Sequence, residues 1–164
     1  QDSLYLSEYK KTLAQLSIKC AAANDTQFFL DAATGIILVE DELHQVFLNK
    51  EYFNKEPSPS CELYTGYMSR IANNHSIEEG LAVILPCFTI YKEIGDYILA
   101  NQTNKENNPY QNLIQNYGSE DFANAVLNAI EITNRYAEKA PEEVLNKMDL
   151  AFIKSSKLEW MVLG

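Results

Sequence analysis

The stretch that decides the fold is Ser76–Asn101, SIEEGLAVILPCFTIYKEIGDYILAN. Ser76-Ile77-Glu78-Glu79 has the S-x-x-E pattern of a capping box, in which a serine hydroxyl and a glutamate three residues on satisfy the free N–H groups of a helix start. Leu81, Ile84, Leu85 and Phe88 then fall on one helical stripe, and Cys87, Tyr91, Ile94 and Ile98 on another. Apolar residues on more than one face predict a central, largely buried helix. Pro86 sits inside it, removes one backbone hydrogen bond and predicts a bend.

Outward from this helix the pattern stays helical. Leu6, Tyr9, Leu13, Leu16 and Cys20 predict a helix from Asp2 to about Ala23. Phe29, Ala33, Ile36, Ile37, Val46 and Phe47 predict a second from Thr26 to about Asn49. Residues 54–59 hold two prolines and read as a loop, after which Ser60 is expected to cap a helix running to about Ala72. Asn73-Asn74-His75 is a turn. Beyond Asn101, residues 101–108 are polar, Pro109 to about Tyr117 reads as a short helix ended by Gly118, and Ser119 caps another to about Ala137. Pro141-Glu142-Glu143 opens the last helix, with proline and acids in its first turn. About seven helices, essentially no strand and a single domain over 1–164 are expected. Only six Gly and five Pro agree with few turns.

The charge excludes several function classes. With 13 Lys and Arg against 23 Asp and Glu, the net charge is −10, and the cations are scattered. Nucleic acid and acidic lipid are disfavoured as partners. The apolar runs at 35–39 and 81–86 are far too short to span a bilayer, and no signal peptide is visible. Cys20, Cys61 and Cys87 are odd in number and contain no C-x-x-C pair, so neither a disulfide framework nor a zinc site is expected, and a cytoplasmic setting is.

Some residues have the chemistry of a site. Cys87 and Tyr91 are four apart and share a helical face, placing a thiol beside a phenol next to Pro86. Ordinary core packing meets the same pattern. Asp2 and Tyr5 are three apart, and Asp2 equally suits a helix first turn. Glu159 stands among Leu158, Trp160 and Met161, where a buried carboxyl would have a raised pKa suited to acid/base work and an exposed one would merely face solvent. Ten tyrosines could supply stacking walls for a flat ligand, Tyr64 and Tyr117 among them, although most should be packing residues. Glu40 and His44 have a spacing that could ligate a metal, but His75 is the only other histidine, so no metal site is expected.

The order of these segments along the chain resembles one family. Gln1-Asp2-Ser3-Leu4-Tyr5-Leu6, residues 59–65 ending in Tyr64-Thr65, and Leu85-Pro86-Cys87-Phe88-Thr89-Ile90-Tyr91 with Ile94-Gly95 are similar to motifs of the TenA (thiaminase II) family. So are Tyr110 through Tyr117-Gly118, and Met148 through Phe152 followed by Ser155-Ser156 and Glu159. The resemblance covers essentially the whole chain, with Leu113 and Leu158 where the family often has Trp and Tyr. It implies an all-α, haem-oxygenase-like multi-helix bundle, here without the family's first helix. It implies an aminopyrimidine aminohydrolase or thiaminase II of thiamin salvage, with Cys87 as nucleophile and Glu159 as acid/base. Asp2 would hydrogen-bond the aminopyrimidine, Tyr5, Tyr64 and Tyr117 would line and stack on it, and Tyr91 would hydrogen-bond near the Cys87 sulfur. It implies a homotetramer and no metal or organic cofactor. The family has also been labelled as transcriptional regulators, against which the charge argues here. A metal-dependent oxidase using Glu40 and His44 and a non-catalytic pyrimidine-binding protein on the same scaffold are the alternatives.

Overall fold

The computed structural model describes residues 1–47, 55–103 and 108–163, with side chains for 1–40, 55–103 and 108–162. Among these residues there are seven helices and no strand: α1 (Asp2–Lys19), α2 (Ala23–Phe47), α3 (Pro59–Asn74), α4 (Ile77–Asn101), α5 (Gln111–Tyr117), α6 (Glu120–Ala137) and α7 (Glu142–Leu163). The all-helical expectation holds.

As its two apolar stripes predict, α4 is the central element. It packs against α1, α3, α5, α6 and α7. Leu81, Val83 and Ile84 are completely buried in it. Opposite them lie Tyr5, Tyr9, Leu13 and Leu16 of α1, Tyr64 and Met68 of α3, and Ala151 and Leu158 of α7, all in one cluster. The helix runs through Pro86 without ending there.

Caps fix where the helices begin. Ser76 accepts from the Glu79 N–H at 3.2 Å and Ser119 from the Phe122 N–H at 3.1 Å, both as expected. For α3 the cap is Ser58, not Ser60: its hydroxyl accepts from the Cys61 N–H at 3.2 Å. Pro59 explains the shift, because its fixed φ and missing N–H suit the first position of a helix. The break between α1 and α2 lies at residues 20–22, slightly before the expected Asn24-Asp25. Asp25 is instead buried in α2 and pairs with Arg135 of α6 at 2.7 Å, tying the ends of those two helices.

Close approach of α5 to α4 depends on Gly95. A Cβ there would stand 2.8 Å from the Tyr117 Cβ and 2.9 Å from its backbone carbon. Backbone cannot rotate aside as a side-chain end can. Gly95→Ala should therefore displace Tyr117 and cost about 1–3 kcal/mol of stability, the usual size of an overpacking penalty. Thermal or denaturant unfolding measures this. An unchanged midpoint would show that α5 yields freely.

Candidate active site

Asp2, Tyr5 and Tyr9 recur at intervals of three and four, so α1 presents them on one face. Tyr5 is fully buried and stacks on Tyr9 at 5.5 Å and 20°, and on Tyr64 of α3 at 5.1 Å and 13°. The Tyr64 hydroxyl is hydrogen-bonded to Glu159 Oε2 of α7. One turn earlier on α7, Ser155 Oγ lies 3.3 Å from the same hydroxyl and donates to the Val83 carbonyl at 2.6 Å. Glu159 is 1% exposed, which decides between its two readings: it faces the interior.

Tyr91 of α4 donates to Asp2 Oδ1 at 3.0 Å. Its hydroxyl thus goes to the carboxylate rather than to Cys87, since a carboxylate oxygen is a far better acceptor than sulfur. The hydroxyls set against the Cys87 sulfur are those of Tyr5 and Tyr9. Tyr5 finds no nitrogen or oxygen partner, while Tyr9 donates to the Ile84 carbonyl at 2.9 Å. Tyr117 completes the group, with its ring 4.8 Å from that of Tyr91 and 5.3 Å from that of Phe122. The structure thus brings Asp2, Tyr5, Tyr64, Cys87, Tyr91, Tyr117 and Glu159 into one connected cluster. Tyr9 is an addition that the sequence reading treats only as an apolar helix position. Its spacing from Asp2 and Tyr5 was the available signal.

Burial dominates the electrostatics. It raises Glu159 to about 7, against the Tyr64 hydrogen bond, with the Asp2 charge adding to the rise. It also raises Asp2, against the Tyr91 hydrogen bond. The Cys87 thiol is pushed well up by burial and then by Glu159, while the Tyr5 and Tyr9 hydroxyls pull it down. No ion pair of the described residues involves Asp2 or Glu159. Burial thus favours the protonated form of both carboxyls, and Glu159 exchanges its proton near neutral pH.

Beside it lies a cavity of about 380 Å³, large enough for a small heterocyclic ligand. Tyr9 of α1, Phe28 and Ile36 of α2, Cys87 and Tyr91 of α4, Tyr117 of α5 and Phe122 of α6 form much of its wall. Among the described residues its charged lining is Asp31 and Asp121, with no Lys, Arg or His. Tyr5, Tyr64 and Glu159 are not on the wall. Cys87 belongs to both sets, being on the cavity wall and electrostatically coupled to Glu159. The other thiols lie elsewhere: Cys20 is half-buried and raised to about 11 by burial, and Cys61 sits against the Gln1 carbonyl just before α1.

Among the described residues no three His, Cys, Asp or Glu side chains converge as a metal site would require. Glu40, half of the spacing that could ligate a metal, is ion-paired with Lys10. The His44 side chain lies outside the described residues. No described helix is long and apolar enough to cross a membrane.

A family model for TENA/THI-4/PQQC proteins matches residues 1–164. The chain belongs to the TENA/THI-4/PQQC family. This TENA/THI-4/PQQC chain is 32% identical to an aminopyrimidine aminohydrolase of Bacillus subtilis, over all of its own length and 71% of the relative's. It is 37% identical to the thiamine biosynthesis multifunctional protein ThiED of Corynebacterium efficiens over 79% of its own length, but spans only 18% of that protein. Among solved structures, a TenA homologue from Pyrococcus furiosus superposes with a TM-score of 0.86 at 23% identity, covering 98% of this chain and 77% of the other. The fold is thus the haem-oxygenase-like helical bundle expected from the sequence.

The raised Glu159 has a consequence for stability. A carboxyl whose folded pKa exceeds its ordinary 4.5 binds a proton in the native state that the unfolded chain has released, so stability falls as pH rises from about 4.5 to about 7 and is level above. Glu159→Gln removes that loss. Its stability relative to the parent should climb across this window by on the order of 3 kcal/mol, at about 1.4 kcal/mol per unit. Denaturant unfolding at several pH values tests it. A difference that does not vary with pH would mean that Glu159 titrates as in water.

Proposed function

We propose that this domain is a thiol-dependent aminopyrimidine aminohydrolase with thiaminase activity, working in thiamin salvage. The observation that carries the reading is Cys87: a thiol on the wall of an apolar, tyrosine-lined cavity and coupled to a proton-holding carboxyl. The activity named for the Bacillus subtilis relative supports it.

The chemistry suits the residues. A pyrimidine ring is electron-poor, and the Cys87 sulfur adds to a ring carbon, forming a C–S bond. The bond from the exocyclic methylene to its amine or thiazolium nitrogen then breaks, and the nitrogen leaves with the electron pair. Water adds to the methylene and gives up a proton, and the C–S bond breaks to return the thiol and release the hydroxymethylpyrimidine. Glu159, poised near 7, moves protons at neutral pH in either direction. Asp2, whose Oδ1 accepts from Tyr91, would turn its other carboxyl oxygen to the ring nitrogen and amino group of an aminopyrimidine. Tyr91 and Tyr117 supply flat walls that lose little freedom on binding, with Tyr5 and Tyr64 stacked on each other behind Cys87. Burial keeps Cys87 protonated at rest, so substrate must enter before the thiol is activated. Asp31 and Asp121 make the cavity compatible with a cationic leaving half. No metal or organic cofactor is required in this scheme. We further propose a cytoplasmic homotetramer acting on a small pyrimidine, with neither nucleic acid nor membrane as partner.

Turnover of 4-amino-5-aminomethyl-2-methylpyrimidine, with thiamin for comparison, tests the proposal. Product release should fall by at least about a thousandfold in Cys87→Ser, with unfolding little changed. Substantial activity in that variant would remove the covalent mechanism. No turnover of either compound by the folded parent protein would remove the hydrolase reading.

A further inference from the structure

The chain of hydrogen bonds from Glu159 to α4 is constrained by how many protons its members own. Ser155 Oγ has one proton. It is directed at two acceptors, the Val83 carbonyl at 2.6 Å, which can only accept, and the Tyr64 hydroxyl at 3.3 Å, and it can fill only one of them well. The Tyr64 hydroxyl also has a single proton, and two acceptors compete for it: Ser155 and Glu159.

The two states of Glu159 settle that competition differently. An ionised Glu159 takes the Tyr64 proton, and the single Ser155 proton is then left to serve both Val83 and Tyr64, so one of those two contacts goes without a full hydrogen bond. A protonated Glu159 donates to Tyr64, Tyr64 donates to Ser155, and Ser155 donates to Val83. Every contact then has one donor, giving three hydrogen bonds where the ionised state has two. Ser155, Tyr64 and Glu159 are each at most 1% exposed, so bulk water is not at hand to fill the missing place.

We propose that Ser155 is a positioning residue that holds the proton on Glu159 by accepting from Tyr64, so that the chain Glu159–Tyr64–Ser155–Val83 reverses its donor direction at Tyr64 each time Glu159 ionises. Its geometry rests on the contacts alone; its value to turnover rests on the reading of Glu159 as the acid/base. The anchor is an α4 carbonyl in the turn before Pro86, whose missing N–H already removes one helical bond there. Ser155 thereby links the proton state of α7 to the helix that carries Cys87.

Other groups act on Glu159 in both states. Asp2, Tyr5 and Tyr9 face the cluster from α1, Tyr64 from α3, Cys87 and Tyr91 from α4 and Tyr117 from α5. Of these only Asp2 is a second carboxyl, and its charge favours the acid form of Glu159 as well. None of them supplies the extra acceptor that Ser155 supplies to Tyr64.

The test reads Glu159 directly. An infrared titration of the whole chain across neutrality follows the carbonyl band of a protonated carboxylic acid that is present in the parent and missing in Glu159→Gln. Ser155→Ala should lower the midpoint of that band by about one pH unit, the size of one hydrogen bond in a buried network. In a Tyr64→Phe background, where the relay is already broken, Ser155→Ala should leave the midpoint where it stands. An unchanged midpoint in the single variant overturns the proposal. So does an equal fall in both backgrounds, since that is what loosened packing around Glu159 would give. Turnover is not read, so a failure of the proposed hydrolase activity would not register here, nor would a failure here count against that activity.

Discussion

Much of this structure depends on a single buried carboxyl. Glu159 stands where α7 meets α3, with Asp2 of α1 and Cys87 of α4 close enough to feel its charge. No ion pair among the described residues neutralises it. A carboxylate left so would be expensive, and the protein's answer is to let it keep a proton at ordinary pH. The surrounding tyrosines follow from that choice. They fill the interior with apolar rings yet bring hydroxyls that a carboxyl can use, which leucine or phenylalanine in their places could not do.

The same economy extends to α4. A proline in a central helix removes a backbone donor, here the one that the Ala82 carbonyl would accept from. Close by, hydroxyls from two other helices reach α4 carbonyls: Ser155 to Val83 and Tyr9 to Ile84. Cys87 immediately follows Pro86, so the groups that settle the backbone also settle the position of the sulfur. Packing and chemistry are carried by the same side chains in this cluster.

Much of this was legible in the sequence, for identifiable reasons. The central place of α4 followed from two apolar stripes, and the starts of α4 and α6 from serines whose side chains could cap. The start of α3 was misplaced by two residues because Ser58 and Ser60 are chemically equivalent, and only Pro59 distinguishes them. The connection between Asp2, Tyr64, Cys87 and Glu159 could not come from spacing, since they lie on four helices; the family resemblance grouped them, and the folded chain brings them together. Ser155 was visible as part of a motif, but its task depends on an α4 carbonyl 72 residues away. Spacing pairs Tyr91 with Cys87, its neighbour one helical turn away, whereas its actual acceptor, Asp2, lies 89 residues earlier in the chain.

Among the described residues the cavity wall carries Asp31 and Asp121 and no cationic side chain, in a chain whose net charge is −10. Both carboxylates are exposed whereas Tyr9 and Tyr91 are buried, so their field extends into the solvent at the cavity. An ammonium or thiazolium compound is drawn inward, whereas a phosphate ester meets repulsion at the same place. The screening length is about 8 Å at physiological ionic strength, so this sorting weakens as salt is added. Selection between a free heterocycle and its phosphorylated form would therefore begin during the approach, in the rate of entry, before any ring has stacked.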